Sequence, residues 1–350
     1  MSTQITRPWL RPFMAGLCFV SVIAGSFASG TVIKSQLDSY KAIEAHSKWR
    51  DEMDQGLEAF YQTAYPLADA HFRVAINLCK QDSDEYIETA RCLGVTLYNE
   101  QQDIEALGYL QKALKLTRKR LKHESLDLGG IMFWNARVLE RVGQYPEAEK
   151  LYLETLAIYK ENTGPLSFEY INTAVDYANF LCLLNRFDEA LPIAQEAYLV
   201  DMQDCGLHNA NTLQAGKCLA KVYNRLRRFD EAETLLNQNL ELSRQIYGEK
   251  TQQTAQCYLE LANHCSAAKD FERANLLYNG IIDMLKVAIG YGEITLIDTE
   301  LGYARSLEAE NKMDQAQSWL NKCRTHAATR YGANHPITQN IENELLSLKQ

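Results

Sequence analysis

Lys217, Lys221 and Arg225 stand four residues apart. On a helix they share one face, where like charges repel by a few tenths of a kcal/mol per pair (about 0.2–0.5). A sequence that keeps such a triplet points to an acidic group held opposite, so the chemistry it suggests is ion pairing with carboxylates. Bond-making chemistry has no comparable signature. There is no H-E-x-x-H, no G-x-S-x-G and no phosphate-cradling glycine loop. The seven histidines are scattered, and His264 is expected to be structural or solvent-facing. None of the nine cysteines forms a C-x-x-C pair, and most are expected to be small buried hydrophobes. One or two disulfides are the alternative, in an exported setting. No cofactor or metal is called for, and the expectation is a protein that is not an enzyme. A formal net charge of −9, with Lys and Arg spread along the chain, argues against nucleic acid as a partner.

The elements that must carry these cations are helices. Seven prolines and eighteen glycines in 350 residues leave little room for strands and hairpins, so the chain reads as all-α. Gly94, Ala136, Ala178, Ala220, Ala262 and Ala304 recur every 42 residues, and Ala106, Ala148, Ala190, Ala232, Ala274 and Ala316 follow twelve behind. Two ladders in phase describe one unit copied in tandem. In the unit of Ala220, Leu219, Tyr223 and Leu226 mark a first helix that Arg227 and Arg228 end. Phe229 to Ala232 opens a second, with Asp230 placed to cap its free N–H groups. Small residues where the two helices cross let the backbones approach, and stacking buries what one hairpin leaves wet.

The pattern of small residue, aromatic or Leu three later, small residue nine after that and apolar residue four further on resembles the tetratricopeptide repeat. Ala136, Leu139, Ala148 and Tyr152 show it, as do Ala262, Cys265, Ala274 and Tyr278. The 42-residue period is similar to the long repeats of kinesin light chains, as are the segments Tyr247-Gly248-Glu249 and Tyr331-Gly332-Ala333-Asn334-His335-Pro336. Gly56 and Ala68 add an earlier unit with a shorter loop. The resemblance implies a right-handed helical-hairpin solenoid over residues 49–350, with about seven hairpins and a C-terminal capping helix from Pro336. Cys323 and Ile281 depart from the family's small alanines.

In that family the first helices line the concave groove, and the residue after the ladder position points into it. This implies that Arg137, Asn179, Lys221, Asn263 and Arg305 face a ligand, with Arg141, Lys217 and Arg225 one turn away. Val95 is the apolar member of the row. Asparagine amides donate and accept, so Asn179 and Asn263 suit the backbone of an extended peptide. The cations suit acidic side chains or a terminal carboxylate. Asp176, Glu260, Glu140 and Glu308 are the acids that could instead neutralise the stripe from within. Phe133 and Trp134 are expected to pack between repeats, with a groove anchor as the alternative.

At the N-terminus, Arg7 and Arg11 precede an uncharged run from Pro12 to Ile33. Its apolar part, Phe13 to Ala24, has the length of a signal-peptide core, and Ser26 and Ala28 fit cleavage after Ala28. The run is also long enough for an uncleaved membrane anchor. Residues 1–33 therefore read as signal peptide or anchor, and 34–48 as linker or leading helix. The repeats are expected on the extracytoplasmic side. The function expected is an exported scaffold binding an extended, acidic protein segment. The alternatives are a structural subunit of a membrane complex, using its convex face or stack ends, and a peptide sensor.

Overall fold

The computed structural model describes residues 29–120, 125–205, 210–287, 293–333 and 335–348. The stretch from Arg7 to Ala28, Cys18 included, lies outside them. Fifteen helices and no strands are found among the described residues. They fall in two compact units, residues 1–81 and 82–350.

The first unit holds the hairpin α1 (Ser29–Tyr61) and α2 (Tyr65–Leu78). Residues 34–48 fall inside α1. No helix among the described residues is long and apolar enough to cross a membrane. Gly56 sits against Phe72, where an added Cβ would meet the ring at 2.5 Å.

The second unit is six hairpins and a closing helix. The first helices are α3 (Asp84–Asn99), α5 (Leu126–Arg141), α7 (Phe168–Leu183), α9 (Ala210–Arg225), α11 (Gln252–Ala267) and α13 (Glu293–Ala309). Each is followed by its partner: α4 (Asp103–Arg120), α6 (Tyr145–Asn162), α8 (Phe187–Cys205), α10 (Phe229–Tyr247), α12 (Phe271–Val287) and α14 (Met313–Tyr331). Helix α15 (Pro336–Ser347) packs on α14. With the hairpin of the first unit, the described residues hold seven hairpins and a terminal helix, as expected for an all-α helical-hairpin repeat fold. Ala136, Ala178, Ala220, Ala262 and all six members of the second ladder are completely buried, and Ala304 is 1% exposed. Cys323 and Ile281 are accommodated in the core. Cys92, Cys182, Cys218, Cys257, Cys265 and Cys323 are free and buried.

Two further ladders set the helix ends. Ser83, Ser125, Ser167 and Thr251 precede first helices in extended conformation, and each hydroxyl accepts from the N–H three residues on. Such caps satisfy one of the orphan donors of a helix start. At the other end, Gln101, Gly143, Asn185, Arg227, Lys269 and Asn311 take φ between 58° and 79°. The N–H that follows each reaches back five residues, for example Arg228 to Tyr223 O at 2.9 Å and Asp270 to Cys265 O at 2.8 Å. This is a Schellman closure. It leads straight into the second helix, so α10 begins with no side-chain cap. Asp230 is therefore not the cap expected; it lies inside the first turn, where its charge meets the positive end of the helix.

Candidate functional site

All eight residues singled out in the sequence stand on first helices, but they divide into two groups. In the early repeats the cations are occupied. Arg137 on α5 lays its guanidinium over Tyr98 and Trp134, 4.9 Å from each ring centroid, and stands 3.3 Å from Asp176. Arg141 covers Tyr98 at 4.1 Å, donates to its carbonyl oxygen at 2.8 Å and pairs with Asp103 at 2.8 Å. Phe133 and Trp134 pack beside them, as a between-repeat role requires. Asp176 thus neutralises part of the stripe from within, while Glu140 accepts from the Tyr152 hydroxyl at 2.8 Å. Asn179 donates to Val175 O at 3.0 Å, and its Oδ1 accepts from Lys221 Nζ at 3.4 Å. Its amide is taken up by these contacts. Val95 is buried.

In the later repeats the groove opens into a cleft of about 1070 Å³ between α9, α11 and α13. Lys221, Arg225, Asn263 and Arg305 line it, together with two cations not foreseen, Arg227 and Lys269. Glu260 and Asp298 are its acids, and Phe187, Phe229 and Leu301 give it apolar wall. Lys221 and Arg225 are exposed. Among the described residues no ion pair engages Lys221, Arg225, Arg227 or Lys269. Lys217 is half-buried and does not line the cleft. Its charge acts on Cys257 and Glu260. At the far end Arg305 is held by Glu344 of the closing helix, so a carboxylate of the chain itself already occupies one cation of the cleft.

The floor is preorganised. Tyr278, buried, donates its hydroxyl to Asn263 Oδ1 at 2.7 Å. The amide group of Asn263 is thereby oriented with its donors left over. Gly302 makes this possible, because a Cβ there would lie 2.9 Å from Asn263 Oδ1. His264 is buried, bonded through Nδ1 to Asn224 Oδ1 at 2.6 Å, and burial pushes its pKa down, which fits the structural role expected. Burial also pushes the Glu260 carboxyl above the ordinary range, while Lys217 and Lys221 draw it back. The result is a wide cleft whose cations outnumber its acids, with hydrogen-bond donors on the floor and apolar patches on the wall. It can hold carboxylates and chain carbonyls.

Sequence spacing missed Arg227 and Lys269 because both lie in the turns, off the helix face from which the groove positions are counted; Arg227 reads there only as the end of a helix. The signal was present: they stand 42 apart at equivalent turns.

Family models described as tetratricopeptide repeat match residues 87–127, 127–201 and 209–286. No curated protein matches the sequence. Among solved structures, BtubC (BKLC) from P. vanneervenii superposes with TM-score 0.51 at 18% identity, covering 71% of this chain and 93% of the other. A Rap protein complexed with Competence and Sporulation Factor gives 0.60 at 13% identity, covering 88% and 86%. Aspartyl phosphate phosphatase F from Bacillus subtilis gives 0.65 at 13%, covering 87% and 76%. At these identities the likeness is one of fold.

Proposed function

The chain belongs to the tetratricopeptide repeat family, and we propose from that premise that it is a protein-binding scaffold whose ligand is an extended acidic segment lying in the cleft of α9, α11 and α13. One observation carries the reading. Lys221 and Arg225 face a wide cleft with no carboxylate of the chain upon them, whereas Arg137, Arg141 and Arg305 each have one. Unpaired cations in a concave site focus the field there and steer an acidic partner. Asn263 adds donors for the carbonyl oxygens of such a segment, and Phe187 and Phe229 add surface for apolar residues between the acids. Glu344 on Arg305 supports the reading from inside the molecule, since it is the contact an acidic ligand would make.

The reading involves binding without chemistry. One structural neighbour is a phosphatase by name, and the likeness to it is one of fold. Another neighbour is a Rap protein complexed with Competence and Sporulation Factor, so a chain of this fold can hold a bound partner. We also place the repeats on the extracytoplasmic side of a membrane, from Arg7, Arg11 and the uncharged run that follows. A mature N-terminus at Ser29 in mass spectra would support cleavage; an intact N-terminus on membrane-bound protein would support the anchor. The binding reading is tested by titrating the protein with fluorescein-labelled hexaglutamate. Binding that weakens steeply with added salt is the expected result.

A further inference from the structure

The six hairpin turns of the second unit each hold one residue at positive φ. At Gly143, Asn185 and Asn311 the residue type suits that backbone. At Arg227 and Lys269, with φ of 58° and 66°, it does not. Here the chain keeps a long β-carbon-bearing cation where glycine would sit without strain, and strain maintained in a fold is a pointer to function. Strain alone does not single the two out, because Gln101 shares it at 63°. Their position does. Both line the cleft beside Lys221 and Arg225, and among the described residues neither has an ion pair. Two arginines that stand one position past a positive-φ residue show the contrast. Arg228, at an ordinary φ of −87°, is spent on Glu231 and lies over the Tyr223 ring at 4.7 Å. Arg186, in the preceding turn, is spent on Glu149 and Glu189 at 2.7 Å each.

We infer that Arg227 and Lys269 form a second row of the binding site. The inference rests on the acidic-segment reading and sharpens it. The first row, Lys221 and Arg225, lies on the helix face. The second lies on the turns that join α9 to α10 and α11 to α12. A lone terminal carboxylate can satisfy only one row. The ligand that fits both carries several carboxylates and runs from the groove across its edge at two consecutive turns.

Because glycine is the residue best suited to these two positions, the cations can be removed without harming the fold. Labelled hexaglutamate is titrated by fluorescence anisotropy into the wild-type protein, Arg227→Gly/Lys269→Gly, Arg227→Asn/Lys269→Asn, Arg227→Lys/Lys269→Arg, and Lys221→Glu/Arg225→Glu. The glycine and asparagine pairs are expected to melt at or above the wild-type temperature. They are expected to bind roughly fivefold more weakly, with a shallower salt dependence. The charge-conserving pair keeps wild-type binding. Wild-type affinity in the glycine and asparagine pairs, with binding lost in Lys221→Glu/Arg225→Glu, would overturn the second row and leave the cleft reading intact. Wild-type affinity in all variants, or no binding by the wild type, would overturn both.

Discussion

Arg137 Nε stands 3.3 Å from Asp176 Oδ2, which ties α5 to α7 while the same guanidinium lies over Tyr98 of α3. One side chain thus joins three successive repeats. Burial raises the Asp176 carboxyl and Arg137 pulls it down. Without Arg137 it rises further. A carboxyl whose folded pKa exceeds its unfolded value binds extra protons in the native state, so stability falls as pH rises through that folded pKa. Arg137→Ala is expected to lose about 2 kcal/mol at neutral pH. The deficit should narrow between neutral and mildly acidic pH, as the raised Asp176 carboxyl takes up its proton. Urea unfolding at both pH values measures this; a deficit independent of pH would assign the loss to ring stacking alone.

Glu260 gives the cleft a pH response. Its carboxyl is raised by burial, lowered by Lys217 and Lys221 and raised again by Asp298. Protonating it removes a negative charge from the floor, so an acidic ligand binds more tightly as pH falls through the Glu260 pKa, with proton uptake on binding. Hexaglutamate affinity should rise a few-fold, roughly two to five, between neutral pH and about 5.5, where the ligand is still ionised. Glu260→Gln should bind more tightly at neutral pH and flatten the profile. An unchanged profile in that variant would remove Glu260 from the account.

The capping ladder carries a measurable share of stability. Ser167 accepts from Tyr170 N–H at the start of α7, whereas α6 starts at Gln144 with no side-chain cap. Ser167→Ala should cost about 1 kcal/mol, and Gln144→Ala much less. Equal costs in thermal or chemical unfolding would show that the hydroxyl adds nothing beyond the backbone turn.

The fold was legible because its determinants are local and repeated. Ala220 and Ala232 stand twelve apart on the two packed helices of one hairpin, and both are completely buried, as the pattern alone suggests. The serine caps and positive-φ turns obey the same 42-residue rule, yet an acidic residue near a helix start, Asp230, signals a side-chain cap that the structure does not use. The closure at Arg227 and Arg228 satisfies carbonyls at the end of α9 and leads directly into α10, which starts without a side-chain acceptor. The candidate site was less legible. Whether an arginine is free depends on acids in neighbouring repeats: Asp103 for Arg141, Asp176 for Arg137, Glu344 for Arg305. Helical spacing places a residue on a face but says nothing of what the adjacent helix presents to it. Asn179 and Asn263 illustrate this further, equivalent in sequence but one taken up by Lys221 and Val175 O and the other poised by Tyr278.

The most direct test of the cleft is the affinity of Lys221→Glu/Arg225→Glu for labelled hexaglutamate, measured beside helical circular dichroism and melting. Both positions are exposed, so fold and melting temperature should stay at wild-type values. Two cations become two anions, a net change of four charge units toward the ligand's own sign, and binding should weaken roughly tenfold or more. Undiminished binding by a folded variant would contradict the account and move the ligand off this face of the array.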